Sequence, residues 1–246
     1  MKFSKSIFSK ISNLSSFLFS AFIIVILFSN CKKVEEEKKL EYSTVSDVDG
    51  NIYKTVKIGD QWWMTENLRV SKFNDGTSIE ENTSTSDSAW IKTTSPRFHN
   101  LDSVQGNLYN GYVINSNKKI APKGWRVPTD QDWKKLEEYI GLSSDEVQLY
   151  GWRGADQAEK LVIESSIGWL SGTVLFGDNE TGFNALPSGC YVFNGYLNTE
   201  KNSAFWWTST QFNTSLVYRN IDFSHRNIFR HYTNSNYGFA IRCIKE

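Results

Sequence analysis

The pattern of apolar and polar positions divides the chain into three stretches. Leu14 to Ser29, LSSFLFSAFIIVILFS, is apolar apart from its serines. The charged run KKVEEEKKLE follows at 32–41. From Val45 the pattern turns to short β-type runs broken by Gly, Asn and Asp. In DVDGNIYKTVKIGDQWWMTENL, Asp49-Gly50 and Gly59-Asp60 read as turns. Tyr53, Val56 and Ile58 fall on one strand and Trp62, Trp63 and Met64 on the next, which predicts a hairpin. Residues 71–105 are rich in Ser, Thr, Asn and Asp. They read as a long irregular segment lying over the core, with Trp90 and Phe98 as anchors. GNLYNGYVI, from Gly106, is short enough for either helix or strand and leans to helix.

The clearest helix start lies in APKGWRVPTDQDWKKLEEYIGL. Pro128 turns Val127 away from helical backbone. Thr129 is then the N-cap, with Asp132 three residues on to close a capping box. Trp133, Leu136 and Ile140 share one helical face, and Gly141 ends the helix. A second helix is expected over Ala155–Glu164. After Gly168 the pattern is strands and turns, ending in SAFWWTST, LVYRNIDF and YGFAIRCIKE.

Charge changes the reading of the first stretch. Lys2, Lys5 and Lys10 precede the apolar run and no acidic residue does. A basic start, a short apolar run and small residues before Cys31 describe a lipoprotein-type signal over residues 1–30. Acylation of Cys31 would hold the protein on a membrane. Phe28 and Asn30 occupy places where a strict lipobox has Leu and a small residue, so the rival is an uncleaved anchor. Residues 31–44 then form a charged tether and 45–246 one folded domain outside the cytoplasm. Removing residues 1–30 leaves 24 basic against 27 acidic residues. That balance excludes the basic footprint of a nucleic-acid binder. Cys190 and Cys243 remain, either as one disulfide or as two buried thiols.

Taken together, seven segments resemble a known family in their order. They are DGNIYKTVKIGDQWWMTENL, FNDGTSI, GNLYNGY, APKGWRVPTDQDWKKLEEYIG, TGFNALPSGC, FWWTST and GFAIRCIKE. The family is the Fibrobacter succinogenes major paralogous domain, found in secreted and lipid-anchored bacterial proteins. This chain departs from it mildly: Trp62 doubles Trp63, Gly111 follows Leu-Tyr-Asn, and Trp207 stands where the family often has Ser. The resemblance implies an α+β domain with twisted antiparallel sheets, a few helices and long loops. It is similar to C-type-lectin-like and formylglycine-generating-enzyme-like folds. It implies no established biochemical role.

Candidate chemistry is sparse. His99, His225 and His231 are the only histidines. His225 and His231 with Asp222 are a weak metal set, opposed by Arg226 and Arg230. No HExxH, CxxC, Gly-x-Ser-x-Gly or P-loop appears. Formylglycine-type chemistry would need reactive cysteines, and Cys190 and Cys243 read as structural. Asp178, Asn179, Glu180 and Asn184 supply hard oxygens for calcium, but such residues more often build tight turns. No cofactor is implied. Nine tryptophans fall after Val45. Strand alternation turns one ring of Trp62-Trp63 and one of Trp206-Trp207 inward. Trp206 is assigned to the core, and Trp207 becomes the outward candidate. With Trp63, Tyr218 and Tyr232 it would make an aromatic platform for glycan or protein. The leading expectation is therefore a non-catalytic surface module of the cell envelope. A formylglycine-type enzyme and a structural envelope protein are the alternatives.

Overall fold

The N-terminal hairpin forms as read and gains a strand. In the computed structural model, which describes residues 39–84, 88–163, 168–169, 177–192 and 195–246, β1 (Tyr42–Ser46), β2 (Ile52–Ile58) and β3 (Gln61–Met64) pair antiparallel. The turn between β1 and β2 is built by Asp47, whose Oδ1 accepts the backbone N–H of Asp49 and of Asn51, both at 3.0 Å. Gly50 takes a left-handed φ of 85° there, a conformation that glycine adopts without steric cost. Tyr42 pairs with Val56, and Lys54 lies over its ring at 3.9 Å. The folded body thus starts earlier than the boundary at Val45, and Leu40–Glu246 forms the compact unit. The signal segment and Cys31 lie outside the described residues.

Three sheets follow. The first has the order β1-β2-β3-β15-β7, with β7 at Trp125–Arg126 and β15 at Ile244–Lys245. The second runs β10 (Leu197–Asn198), β9 (Cys190–Tyr191), β14 (Gly238–Phe239), β6 (Gly106–Asn110), β5 (Arg97–Asp102), β4 (Glu80–Glu81). The third runs β11 (Ser203–Phe212), β12 (Ser215–Asp222), β13 (Ile228–Thr233), β8 (Gly151–Arg153). Pairing is antiparallel apart from β4 with β5. The described helices are few: α1 (Ser88–Lys92), α2 (Gly111–Ile114), α3 (Asp130–Tyr139) and a single 3₁₀ turn at Glu146–Gln148. The fold is dominated by antiparallel strands.

Local chemistry explains where the elements differ from expectation. GNLYN is a strand, buried at every position between β5 and β14. Only after Asn110 does the chain turn once into α2. Gly111 is required there because a Cβ would sit 2.7 Å from the Ser235 Cα. The long polar segment carries β4, α1 and β5, and both anchors hold: Trp90 is fully buried and Phe98 nearly so. The helix expected at Ala155–Glu164 does not form over its described part. Gly154 enters with φ at 78°, the Ala158 N–H donates to the Arg226 carbonyl, and one turn closes at Leu161 and Val162. Glu164 lies outside the described residues.

α3 starts as its sequence dictates. Thr129 Oγ1 accepts the Asp132 N–H at 3.1 Å, and Asp132 Oδ2 accepts the Thr129 N–H at 2.7 Å. Arg126 clamps the same carboxylate from β7. On its inner face the helix carries Asp130 and Glu137 against three adjacent strands of the third sheet. Arg153 from β8 forks onto Glu137 at 2.8 and 2.9 Å. Arg219 from β12 bridges Glu137 at 2.6 Å and Asp130 at 2.8 Å. Arg230 from β13 grips Asp130 at 2.7 and 2.9 Å. Arg219 and Arg230 are cross-strand neighbours, and their repulsion is quenched by the carboxylates between them. Alternation along the strands therefore commits Arg153, Arg219 and Arg230 inward and sends Trp152, Tyr218, Phe229 and His231 to the other face.

The apolar core is split into two clusters by β11. Trp206 belongs to the first, packed on Trp133 and Phe183 at 5.8 Å each. Trp207 belongs to the second, 4.4 Å from Phe239.

Candidate functional site

The face of the third sheet opposite the arginines is aromatic, and at Phe205 and Tyr218 it packs on buried Phe239, 5.0 Å from each ring. His225 stacks on Trp152, with ring centroids 3.7 Å apart and planes 12° off parallel. Trp152 touches Phe229 at 4.9 Å, and Phe229 leads to His231 at 5.9 Å. Tyr218 lies 6.5 Å from His231 and 6.1 Å from Phe205. All six rings are half-buried. β8, β12 and β13 contribute to this stripe because their arginines hold the opposite face.

At one end of the sheet the stripe meets a more open corner. Phe212, at the end of β11, stacks on Tyr232 of β13 at 4.3 Å. Tyr150, just before β8, stands nearly perpendicular to Tyr232, 5.5 Å away and at 87°. The Arg230 guanidinium lies 4.0 Å over the Tyr150 ring. Because Asp130 fixes Arg230, the buried ion network also fixes Tyr150. Tyr150 is 41% exposed, Phe212 38% and the neighbouring Leu149 58%. Two ring walls at a steep angle are suited to an apolar ring face.

Of the four ring positions singled out from sequence, two lie here. Tyr218 is in the stripe, and burial pushes its phenol up to about 12. Tyr232 is in the corner. Trp207 and Trp63 are corrections: both are wholly buried. The alternation of Trp206 and Trp207 is real, but both faces of β11 are covered. The 238–243 segment runs beside β11, with the Trp207 N–H bonded to the Ala240 carbonyl at 3.0 Å. The Trp207 indole then donates to the Tyr109 carbonyl at 2.7 Å. Trp63 packs against Trp133 at 5.2 Å, and its neighbour Trp62 is the half-exposed ring of that pair. Sequence reading missed Tyr150, Trp152 and Phe212. Period-two counting outward from Tyr218 would have reached none of them, since they lie on or beside other strands that only the sheet brings together.

The other candidates resolve differently. Cys190 and Cys243 are free and buried, which corrects the disulfide. Cys190 belongs to the second sheet, whereas the Cys243 carbonyl accepts the Met64 N–H on β3 of the first. Burial pushes the Cys190 thiol up to about 12 and the Cys243 thiol further, so both stay protonated and poorly nucleophilic. Asn179 and Asn184 bond each other, at 2.6 Å through their side chains and 3.0 Å through the Asn184 N–H. Asp178 accepts the Glu180 N–H at 2.9 Å, and Glu180 lies 3.6 Å from Lys160. These oxygens build a turn with two left-handed asparagines, and Arg242 donates to the Phe183 and Asn184 carbonyls beneath it. His225 lies in the turn before β13 rather than on it, so it does not share a strand face with His231. His99 is buried, with Nδ1 2.6 Å from the Asn82 carbonyl. Among the described residues no three metal-ligating side chains gather. Ser224, His225 and Asp222 resemble a relay by type alone. Ser224 Oγ and Asp222 Oδ1 meet the same Nδ1, at 3.0 and 2.9 Å, whereas a relay needs opposite nitrogens.

Comparison with known proteins gives one result. The family model for the Fibrobacter succinogenes major domain matches residues 56–245. No curated protein and no solved structure matches the chain.

Proposed function

The chain belongs to the Fibrobacter succinogenes major domain family, and on that premise we propose that it is a non-catalytic interaction module whose ligand is a glycan. The observation that carries this reading is the open corner of Tyr150, Phe212 and Tyr232, set beside the aromatic stripe. Sugar rings present apolar C–H faces, and such faces bind to flat aromatic walls. The protonated thiols and the misdirected Ser224–His225–Asp222 turn favour binding over formylglycine-type catalysis. The strand-rich body with few helices accords with a C-type-lectin-like architecture. A glycan array probed with Leu40–Glu246, in calcium and in chelator, is the direct test. Retention of a glycan, weakened by roughly tenfold or more in Tyr150→Ala and Phe212→Ala, is the expected result. An array with no retained glycan, or full binding by both variants, would reject it.

The module is proposed to act at the cell envelope, outside the cytoplasm, held on a membrane by acylated Cys31. The basic start, apolar run and charged tether support this placement. The protein is expected to incorporate labelled fatty acid and to lose that label in Cys31→Ser. An unlabelled wild-type protein at full length would favour an uncleaved anchor.

A further inference from the structure

Away from the aromatic corner, the end of α2 and the loop after it close against β7 around a cavity of about 340 Å³. That volume falls in the range of small-molecule sites, roughly 300–1,000 Å³. Its floor is apolar, with Val113, Ile120 and Trp125 all nearly sealed from solvent. Its rim is charged. Lys118, Lys119 and Arg126 line it together with one acidic side chain, Glu246. Two of those cations are committed to aspartates that do not line the cavity. Lys118 Nζ sits 2.8 Å from Asp75, and Arg126 grips Asp132 at 2.5 and 2.9 Å. Lys119 differs. Its side chain is 78% exposed, and its ion pair with Glu246 spans 3.8 Å. That separation is beyond hydrogen-bond length.

We infer that this cavity binds a small carboxylic acid with an apolar body. The body lies on Trp125 and Ile120. The carboxylate takes the place of Glu246 as the partner of Lys119. The geometry makes Lys119 and Glu246 act with opposite signs. Lys119 attracts the ligand, and Glu246 competes with it for the same ammonium. Both side chains are exposed enough to be replaced without disturbing the core.

Titration calorimetry on the whole chain, with phenylacetate as the probe and phenylacetamide as its neutral counterpart, tests this. Phenylacetate is expected to bind, and phenylacetamide to bind about fivefold more weakly, the worth of one exposed ion pair. Lys119→Ala is expected to weaken phenylacetate about fivefold, and Glu246→Gln to tighten it about threefold. A general loosening of the loop would move both variants the same way. No heat at millimolar phenylacetate, equal binding of acid and amide, or shifts of the same sign in the two variants would each overturn the inference.

Discussion

Glu137→Ala is expected to destabilise the folded unit by about 3–5 kcal/mol, the cost of breaking a buried ion pair from one side. Glu137 is wholly buried and holds two guanidiniums, Arg153 and Arg219, whose side chains are also shut off from water. Removing the carboxylate strands Arg153 and leaves Arg219 with Asp130 alone. Arg153 Nε already lacks a partner, so the network has no spare acceptor to offer. Glu137→Gln keeps the shape and one acceptor oxygen, and should cost less than alanine. Denaturant melts of Leu40–Glu246 followed by tryptophan fluorescence measure this directly. A loss under about 1 kcal/mol for Glu137→Ala, the range of surface pairs, would mean that the network is hydrated.

The same network sets an acid limit. Burial alone would raise the Glu137 carboxyl, but the Arg219 charge and the Arg153 hydrogen bond outweigh it and hold it below its ordinary value of 4.5. Asp130 is likewise held below 3.8: burial is overcome by the Arg230 hydrogen bond and the Arg219 charge. A carboxyl depressed on folding contributes stability above its unfolded value and loses it as pH falls through the folded one. Stability should therefore stay level above about pH 5 and decline below pH 4.5, the ordinary value of the Glu137 carboxyl. Glu137→Gln should flatten that decline.

The start of α3 was legible in the sequence because its cap is local. Pro128, Thr129 and Asp132 lie within five positions, and nothing distant alters their hydrogen bonds. The β1–β2 turn was legible for the same reason, since its hydrogen bonds all run within residues 47–51. The missing helix at Ala155 shows the opposite case. Its composition favours helix, yet the Arg226 carbonyl captures the Ala158 N–H and Arg226 forks onto Glu159 at 2.7 and 2.8 Å. A contact from the far side of the chain overrides propensity. The corner is illegible for a related reason. Tyr150, Phe212 and Tyr232 meet only because β8, β13, β12 and β11 line up in that order, and no periodicity in one segment encodes a sheet order.

Trp207→Ala should cost about 3–5 kcal/mol, as expected for a large ring removed from a packed core. An exposed Trp207, the platform residue suggested by alternation, would instead cost little. The structure separates these outcomes by three contacts. The ring lies against Phe239, the indole satisfies the Tyr109 carbonyl, and the strand backbone is bonded to Ala240. Alanine would empty the space and leave a buried carbonyl of β6 without that donor, and both effects add to the loss. Tyr150→Ala is the informative companion. Its ring stands at the surface, 41% exposed. Its removal should therefore fall within about 1 kcal/mol on stability while removing a wall of the corner. The two aromatic positions thus exchange the roles that alternation alone assigns: Trp207 carries stability and Tyr150 carries recognition. Unchanged stability in Trp207→Ala would reopen β11 as a binding strand, because only a ring facing water can be lost so cheaply.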